Sequence, residues 1–350
     1  MEFCWMLPEA DLSLIIKQTQ LAETGGFQSV LLINANSYMD PWIMATVLTQ
    51  ETDRIRILVA QNTSYCLPTT TAKAYSTLSL LSNGRIDLNI VSGSSQVELG
   101  RMTRAGDHVS RYKRTKEFIE LFLRLQQGEI IHYHGDCFDV QNAELFPKLK
   151  APTGTIFMAG SSQDAMRIAA EFAGGYLVFG HELDVIKQHF ASFRELLPEL
   201  RTNLNPNPKC GIMIDIIARE TTDEAWEAAH LFLEKASPFQ KRMNRLFRNN
   251  SDSVGISKYH NYYKHIEYKQ AEGCPDSTLW AGLSQLNTSN GFSIVGSYEE
   301  VRQTLFRFHR LGVNYFILSG LISTQELERI GTQIVLPIQS NRIPVDGVSK

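Results

Sequence analysis

The residues of this chain best suited to chemistry are small and polar, and they sit just after apolar runs. Gly160-Ser161-Ser162-Gln163-Asp164 joins such a run to a helical pattern. Its backbone N–H groups, two hydroxyls and the positive end of the following helix make a phosphate site. The plainer alternative is that Ser162 is only a helix cap. Ile90-Val91-Ser92-Gly93-Ser94-Ser95 has the same character, and His108-Val109-Ser110-Arg111-Tyr112 adds donors that could reach the same anion. Asp215 interrupts the apolar run Ile212 to Ala218. A carboxylate there binds an amine, acts as a base, or is a hydrogen-bonded structural group. His181 ends another apolar run, as a functional imidazole or as a capping or surface residue. Tyr38, in Ser37-Tyr38-Met39-Asp40-Pro41-Trp42, either meets a substrate or packs on its own loop. His132 and His134 face solvent in a predicted hairpin, while His260 and His265 lack ligand spacing and a third partner. Spacing shows no nucleophile triad, metal set or paired carboxylates.

These positions gain meaning from the elements that must carry them. Short apolar runs at Phe3–Leu7, Ser29–Ile33, Ile55–Ala60, Ile86–Val91, Thr155–Met158, Tyr176–Phe179, Ile212–Ala218 and Tyr315–Leu318 read as strands. Helical patterns lie between them, among them Leu12–Thr24, Thr70–Leu81, Ser110–Gln127, Glu299–Leu311 and Thr324–Val335. Eight strands alternating with helices predict an α/β protein, a (β/α)8 TIM barrel rather than an open sheet, because no Gly-x-Gly-x-x-Gly follows the first strand. Residues 128–148, a predicted hairpin, and 237–290, polar and aromatic, read as insertions in a single barrel over residues 1–340, followed by a tail at 341–350. Active sites of such barrels collect at the C-terminal ends of the strands. That rule points to Asn34–Trp42, Ala60–Asn62, Asn89–Ser94, Gly160–Ser162, His181, Asp215 and Gly320–Leu321.

Composition narrows the possibilities further. The 350 residues carry 34 basic and 37 acidic side chains, a net charge of −3, which argues against a general nucleic-acid binder. Five scattered cysteines without a CxxC pair suggest neither a disulfide framework nor a thiolate metal site. With no signal-like N-terminus and no long apolar run, a cytoplasmic protein is the expectation.

Several segments, in order along almost the whole chain, carry a resemblance. They are Leu58-Val59-Ala60-Gln61-Asn62, Pro68-Thr69-Thr70-Thr71-Ala72, Ser82-Asn83-Gly84-Arg85 and Asn89-Ile90-Val91-Ser92-Gly93 with Arg111-Tyr112. Further along come Ala218-Arg219-Glu220-Thr221-Thr222-Asp223-Glu224, Ile294-Val295-Gly296-Ser297 and Phe316-Ile317-Leu318-Ser319-Gly320. The set resembles the bacterial-luciferase-like flavin monooxygenases, and within them the alkanesulfonate monooxygenases. The resemblance implies a barrel that uses reduced FMN (FMNH2) as a diffusible cosubstrate, delivered by a separate NAD(P)H flavin reductase. O2 as cosubstrate would then give a C4a-peroxyflavin that oxidises the substrate. Family flavin contacts map onto Ala60, Asn89, Ser92 and Tyr112, with the phosphate on Gly160, Ser161 and Ser162. Relatives also lead us to expect a cis Ala60–Gln61 peptide bond, and a homo-oligomer, dimer or tetramer.

The substrate end departs from the sulfonate branch. Tyr38 stands where that branch has a cysteine, and Met213 and Asp215 replace its arginine and histidine. Asn287 takes the place of its lid arginine and Leu321 that of a tyrosine. A sulfonate needs cationic donors, so desulfonation is not expected. Asp215, His181 and Tyr38 are the candidates for catalysis. The aromatic cluster Tyr259–Tyr268 would belong to a lid, or to ordinary helix packing. Lys241, Arg242, Arg245 and Arg248 would dock an acidic carrier or reductase, or form a solvated helix face. The reading is an FMNH2-dependent monooxygenase hydroxylating a small organic or biosynthetic intermediate, amine-containing or carrier-tethered. A non-catalytic flavin-binding protein and a deazaflavin-dependent oxidoreductase are its rivals.

Overall fold

Strand alternation decides which residues face the barrel interior. The computed structural model describes residues 1–8, 11–93, 95–104, 106–149, 154–201, 206–239, 241–242, 246, 278–286, 291–320 and 323–340. Strands β1 (Glu2–Met6), β2 (Ser29–Leu32), β3 (Arg56–Asn62) and β4 (Ile86–Val91) come first. A small antiparallel hairpin of β5 (Ile131–His134) and β6 (Asp139–Ala143) follows. Next are β7 (Ile156–Ala159), β8 (Gly175–Phe179), β9 (Lys209–Arg219), β10 (Leu279–Trp280), β11 (Ser293–Ser297) and β12 (Tyr315–Gly320). The order β1-β2-β3-β4-β7-β8-β9-β12 closes on itself through parallel ladders, so eight strands form a (β/α)8 barrel.

The helices that position the mouth of the barrel are α1 (Leu12–Thr24), α2 (Pro41–Gln50), α3 (Pro68–Leu81), α4 (Gln96–Met102), α5 (His108–Gln126), α6 (Gln163–Phe172), α7 (Leu183–Leu200) and α8 (Thr222–Lys235). Their starts are chemically specified. Asp107 accepts from the Ser110 N–H, and Ser162 accepts from the Ala165 N–H. Thr221 and Glu224 form a reciprocal capping box, and each such cap stabilises by about 1 kcal/mol. Outward strand residues such as Trp5, Val30, Val59, Leu88 and Met158 pack under these helices. Inward ones form a separate cluster, Cys4, Met6, Leu31, Leu58, Ala60, Phe157, Leu177, Tyr315 and Ile317, which fills the barrel. No helix among the described residues is long and apolar enough to cross a membrane.

Three features differ from the sequence reading. Strand β9 has eleven residues and outruns the barrel. Its end from Asp215 to Arg219 pairs in parallel with β11, a strand hidden in sequence by its serines and Gly296. Helix α4 occupies part of the stretch between β4 and α5, capped by Ser95. The Ala60–Gln61 bond is trans; the cis bond among the described residues is Phe146–Pro147. The ladder to β4 runs unbroken through Ala60, Gln61 and Asn62, and regular pairing holds that bond extended. Asn287, Leu321, Arg245, Arg248, the Tyr259–Tyr268 cluster with His260 and His265, and the tail at 341–350 lie outside the described residues.

Candidate active site

One side of the barrel mouth is formed by β3, β4 and β7. Alternation places Ala60 and Asn89 on the inner face, opposite each other in the β3–β4 ladder. Both are buried, and the Asn89 side-chain oxygen Oδ1 has no hydrogen-bond partner. A buried acceptor left unmade costs about 1–3 kcal/mol. Ser92, also buried, begins the loop that leads to α4. Beside them, Gly160 turns the chain from β7 into α6 at φ +141°, a value that L side chains rarely adopt. A side chain there would also run into the Tyr112 hydroxyl, 3.0 Å from the ideal Cβ position. Ser161 and the capping Ser162 follow, so the first turn of α6 offers N–H groups that the helix itself does not use.

Side chains behind this turn hold it in place. The Tyr176 hydroxyl donates to the Gly160 carbonyl at 2.7 Å and lies 2.8 Å from His189 Nε2. A carbonyl only accepts, so the phenol proton points at Gly160 and His189 must donate from Nε2. Burial pushes the Tyr176 phenol well above its ordinary pKa, which keeps that donor protonated. Arg111 also holds the backbone nearby. Its Nε donates to the Gly93 carbonyl at 3.2 Å and Nη1 to the Gly106 carbonyl at 2.6 Å, fastening the loop around α4. His108 stacks near Tyr112, ring centroids 4.6 Å apart, with Nδ1 3.6 Å from the Asp164 carboxylate.

The other side of the mouth is formed by β8, β9 and β12. Asp215 is 3% exposed, and Oδ1 accepts from Ser319 Oγ at 2.5 Å, its opposite neighbour on β12. The Asp215 N–H donates to the Phe292 carbonyl at 3.2 Å, and the Phe292 ring packs 4.9 Å from that of His181. His181 Nδ1 accepts from the Glu182 N–H at 2.8 Å, which leaves the proton of a neutral imidazole on Nε2. The structure thus brings Asp215 and His181 together. Tyr38, half-buried on the β2–α2 loop, stands beyond β12 and β1 from them around the ring.

A family model for luciferase-like monooxygenases matches residues 2–315. The chain belongs to that family. Among solved structures, the EDTA monooxygenase EmoA from Chelativorans sp. BNC1 superposes with a TM-score of 0.76 at 17% identity, covering 98% of this chain and 94% of that one. Riboflavin lyase RcaE, solved with modified FMN and riboflavin, gives 0.80 at 16% identity over 98% and 92%. An F420-dependent secondary alcohol dehydrogenase gives 0.69 at 15% identity over 95% and 98%. These likenesses are of fold. The luciferase-like monooxygenase fold therefore hosts more than one flavin chemistry, and the residues of this chain must decide between them.

In this luciferase-like chain the residues fit FMN. The glycine turn and serines at the start of α6 would hold a phosphate, and Asn89 Oδ1 is an acceptor that a flavin ring N–H would satisfy. Ala60, Asn89, Ser92, Tyr112, Gly160, Ser161 and Ser162 converge on β3, β4, β7 and the starts of α5 and α6, as the sequence reading placed them. Tyr176, His189 and Ser319 were missed. Tyr176 reads as an ordinary outward strand residue, and no local pattern tells that its hydroxyl reaches back to Gly160.

Proposed function

We propose that this chain is the oxygenase of a two-component monooxygenase, taking FMNH2 from a separate NAD(P)H flavin reductase and using O2 to hydroxylate a small organic intermediate. The unpaired, buried Asn89 Oδ1 beside the glycine turn at α6 carries this reading. Ser161, Ser162 and the first-turn N–H groups of α6 would hold the phosphate, and Tyr112 would close over it. Asn89 would accept from the flavin ring at the β3–β4 side. Bound reduced flavin supplies the electrons that make O2 reactive toward the substrate. Met6, Leu31, Met213 and Ile317 form an apolar floor that keeps water from the reacting centre. His181, with its proton on Nε2, would donate to the substrate, and Asp215 would accept from it.

Alkanesulfonates do not fit. Among the described residues, the inner positions of the upper barrel, from Met6 and Leu31 through Asn89 and Met213 to Ser319, include no lysine or arginine. Anaerobic titration with FMNH2 followed by an oxygen pulse tests the proposal. Reduced flavin should bind more tightly than oxidised, with a transient absorbance change before the oxidised band returns. The F420-dependent neighbour makes a deazaflavin the second reading. Selective binding of a deazaflavin over FMNH2 would overturn the first, and stable binding of oxidised FMN without a transient would leave a flavin-binding protein.

A further inference from the structure

Resting on that reading, we propose that Tyr112, His108 and Asp164 form a clasp across the outer end of the α6 turn, admitting a flavin that ends in its phosphate and rejecting one extended beyond it. Side chains from two helix starts meet there. His108 is the first residue of α5 and Tyr112 lies one turn on, so their rings share one face of that helix. The ring centroids are 4.6 Å apart, and His108 Nδ1 lies 3.6 Å from the carboxylate of Asp164, in the first turn of α6. Tyr112 is the buried, inner member of the row, its hydroxyl 3.0 Å from the ideal Cβ position of Gly160. The row therefore spans the turn from Gly160 to Asp164. It opens outward, with side-chain exposures of 30% for His108 and 53% for Asp164.

The selectivity follows from where the two ends of the ligand are held. Asn89 Oδ1, on a residue only 7% exposed and without a partner, takes the ring end at the inner face of β4. The first-turn N–H groups of α6, which the helix does not use, take the phosphate. A flavin held at both points directs its far end outward, between the starts of α5 and α6. A terminal phosphate stops short of the clasp. A second phosphate joined to it would have to part the His108–Tyr112 stack and would come against the Asp164 carboxylate. The first costs packing, and the second sets like charges together. A wall and a repelling group discriminate without any added contact to the ligand that is accepted. The backbone under His108 is held by the Asp107 cap, which accepts from the Ser110 N–H at 2.8 Å, and by the Arg111 bond to the Gly106 carbonyl.

Three flavins that differ only beyond the ribityl chain test this: riboflavin, FMN and FAD, reduced and titrated anaerobically into the full chain by calorimetry. FMN should bind about tenfold more tightly than FAD. His108→Ala should shrink that ratio about fivefold through gained FAD affinity, and His108→Phe, which keeps a ring on Tyr112, should preserve it. Asp164→Asn should raise FAD affinity about threefold and FMN affinity less, with riboflavin unmoved. Equal wild-type affinity for FMN and FAD would overturn the proposal while the flavin reading stands. So would an unchanged FMN-to-FAD ratio in His108→Ala, including a loss shared equally by all three flavins, which is the mark of a merely structural role. Binding of none of the three by the wild-type chain would overturn the flavin reading itself, and the clasp with it.

Discussion

Asp87 and Asn89 are two residues apart on the same inward face of β4, and they live in opposite circumstances. On the lower floor of the barrel, Asp87 accepts two bonds from Arg56, at 2.7 and 2.9 Å, and another from the Thr155 N–H at 2.6 Å. Beside it Tyr315 and Ser29 share a hydrogen bond of 2.6 Å. One floor up, Asn89 Oδ1 has no partner, and Ala60 opposite offers only a methyl group. The same pleat thus carries an acid whose bonds are made and, one floor up, an amide oxygen whose bond is not. The lesson is that a site is recognised less by which polar residues it holds than by which of their bonds remain unmade.

Removing the lower-floor acid should have the largest effect. Asp87→Ala removes two bonds from Arg56 and one from the Thr155 N–H and should cost about 2 kcal/mol in chemical denaturation, while FMN affinity per folded molecule stays near wild type. Asn89→Leu should do the reverse, and would break the comparison if it did not. Without flavin its melting temperature should rise, by about 1 kcal/mol of stability, because an unmade bond is removed. Its FMN affinity should fall about tenfold in a fluorescence titration.

Tyr176→Phe sharpens the distinction from outside the barrel. Releasing the Gly160 carbonyl should weaken FMN by about 1 kcal/mol yet leave riboflavin, which has no phosphate, unaffected. Ser162→Ala should show the same selectivity with a smaller loss. Equal losses for both flavins would remove the phosphate role of this turn.

The smallest effect at neutral pH belongs to Cys4. Burial pushes its thiol from 9.0 up to about 12, with weaker opposing bonds from Ser29 and Tyr315. Because the folded-state value is raised, the stabilisation is complete below pH 9 and is lost as pH climbs through about 12. Denaturation curves should show stability declining over that window, and Cys4→Ser should flatten the slope there while leaving it unchanged between pH 6 and 8.

Much of the barrel was legible because each of its strands is an apolar run bounded by turn residues, as Gly25-Gly26 precedes β2 and Asn83-Gly84 precedes β4. The turn at the start of α6 was legible for the same local reason, since Gly160, Ser161 and the capping Ser162 are consecutive. Pairings over long sequence distances were not. Ser319 reaches Asp215 from 104 positions away, and nothing in Phe316-Ile317-Leu318-Ser319 singles out that serine. Nor does the sequence show that Arg111 reaches the carbonyls of Gly93 and Gly106, 18 and 5 positions away. The trans Ala60–Gln61 bond shows the limit of analogy, for it was expected from relatives and not from any residue present.

Strand β9 does two jobs along its length. Up to Met213 it is a stave of the barrel, laddered to β8 and β12; from Asp215 onward it also carries β11. Asp215 sits at the changeover, bonded to Ser319 on one side and to Phe292, just ahead of β11, on the other. Asp215 therefore belongs at once to the ring of eight strands and to the ladder that extends beyond it.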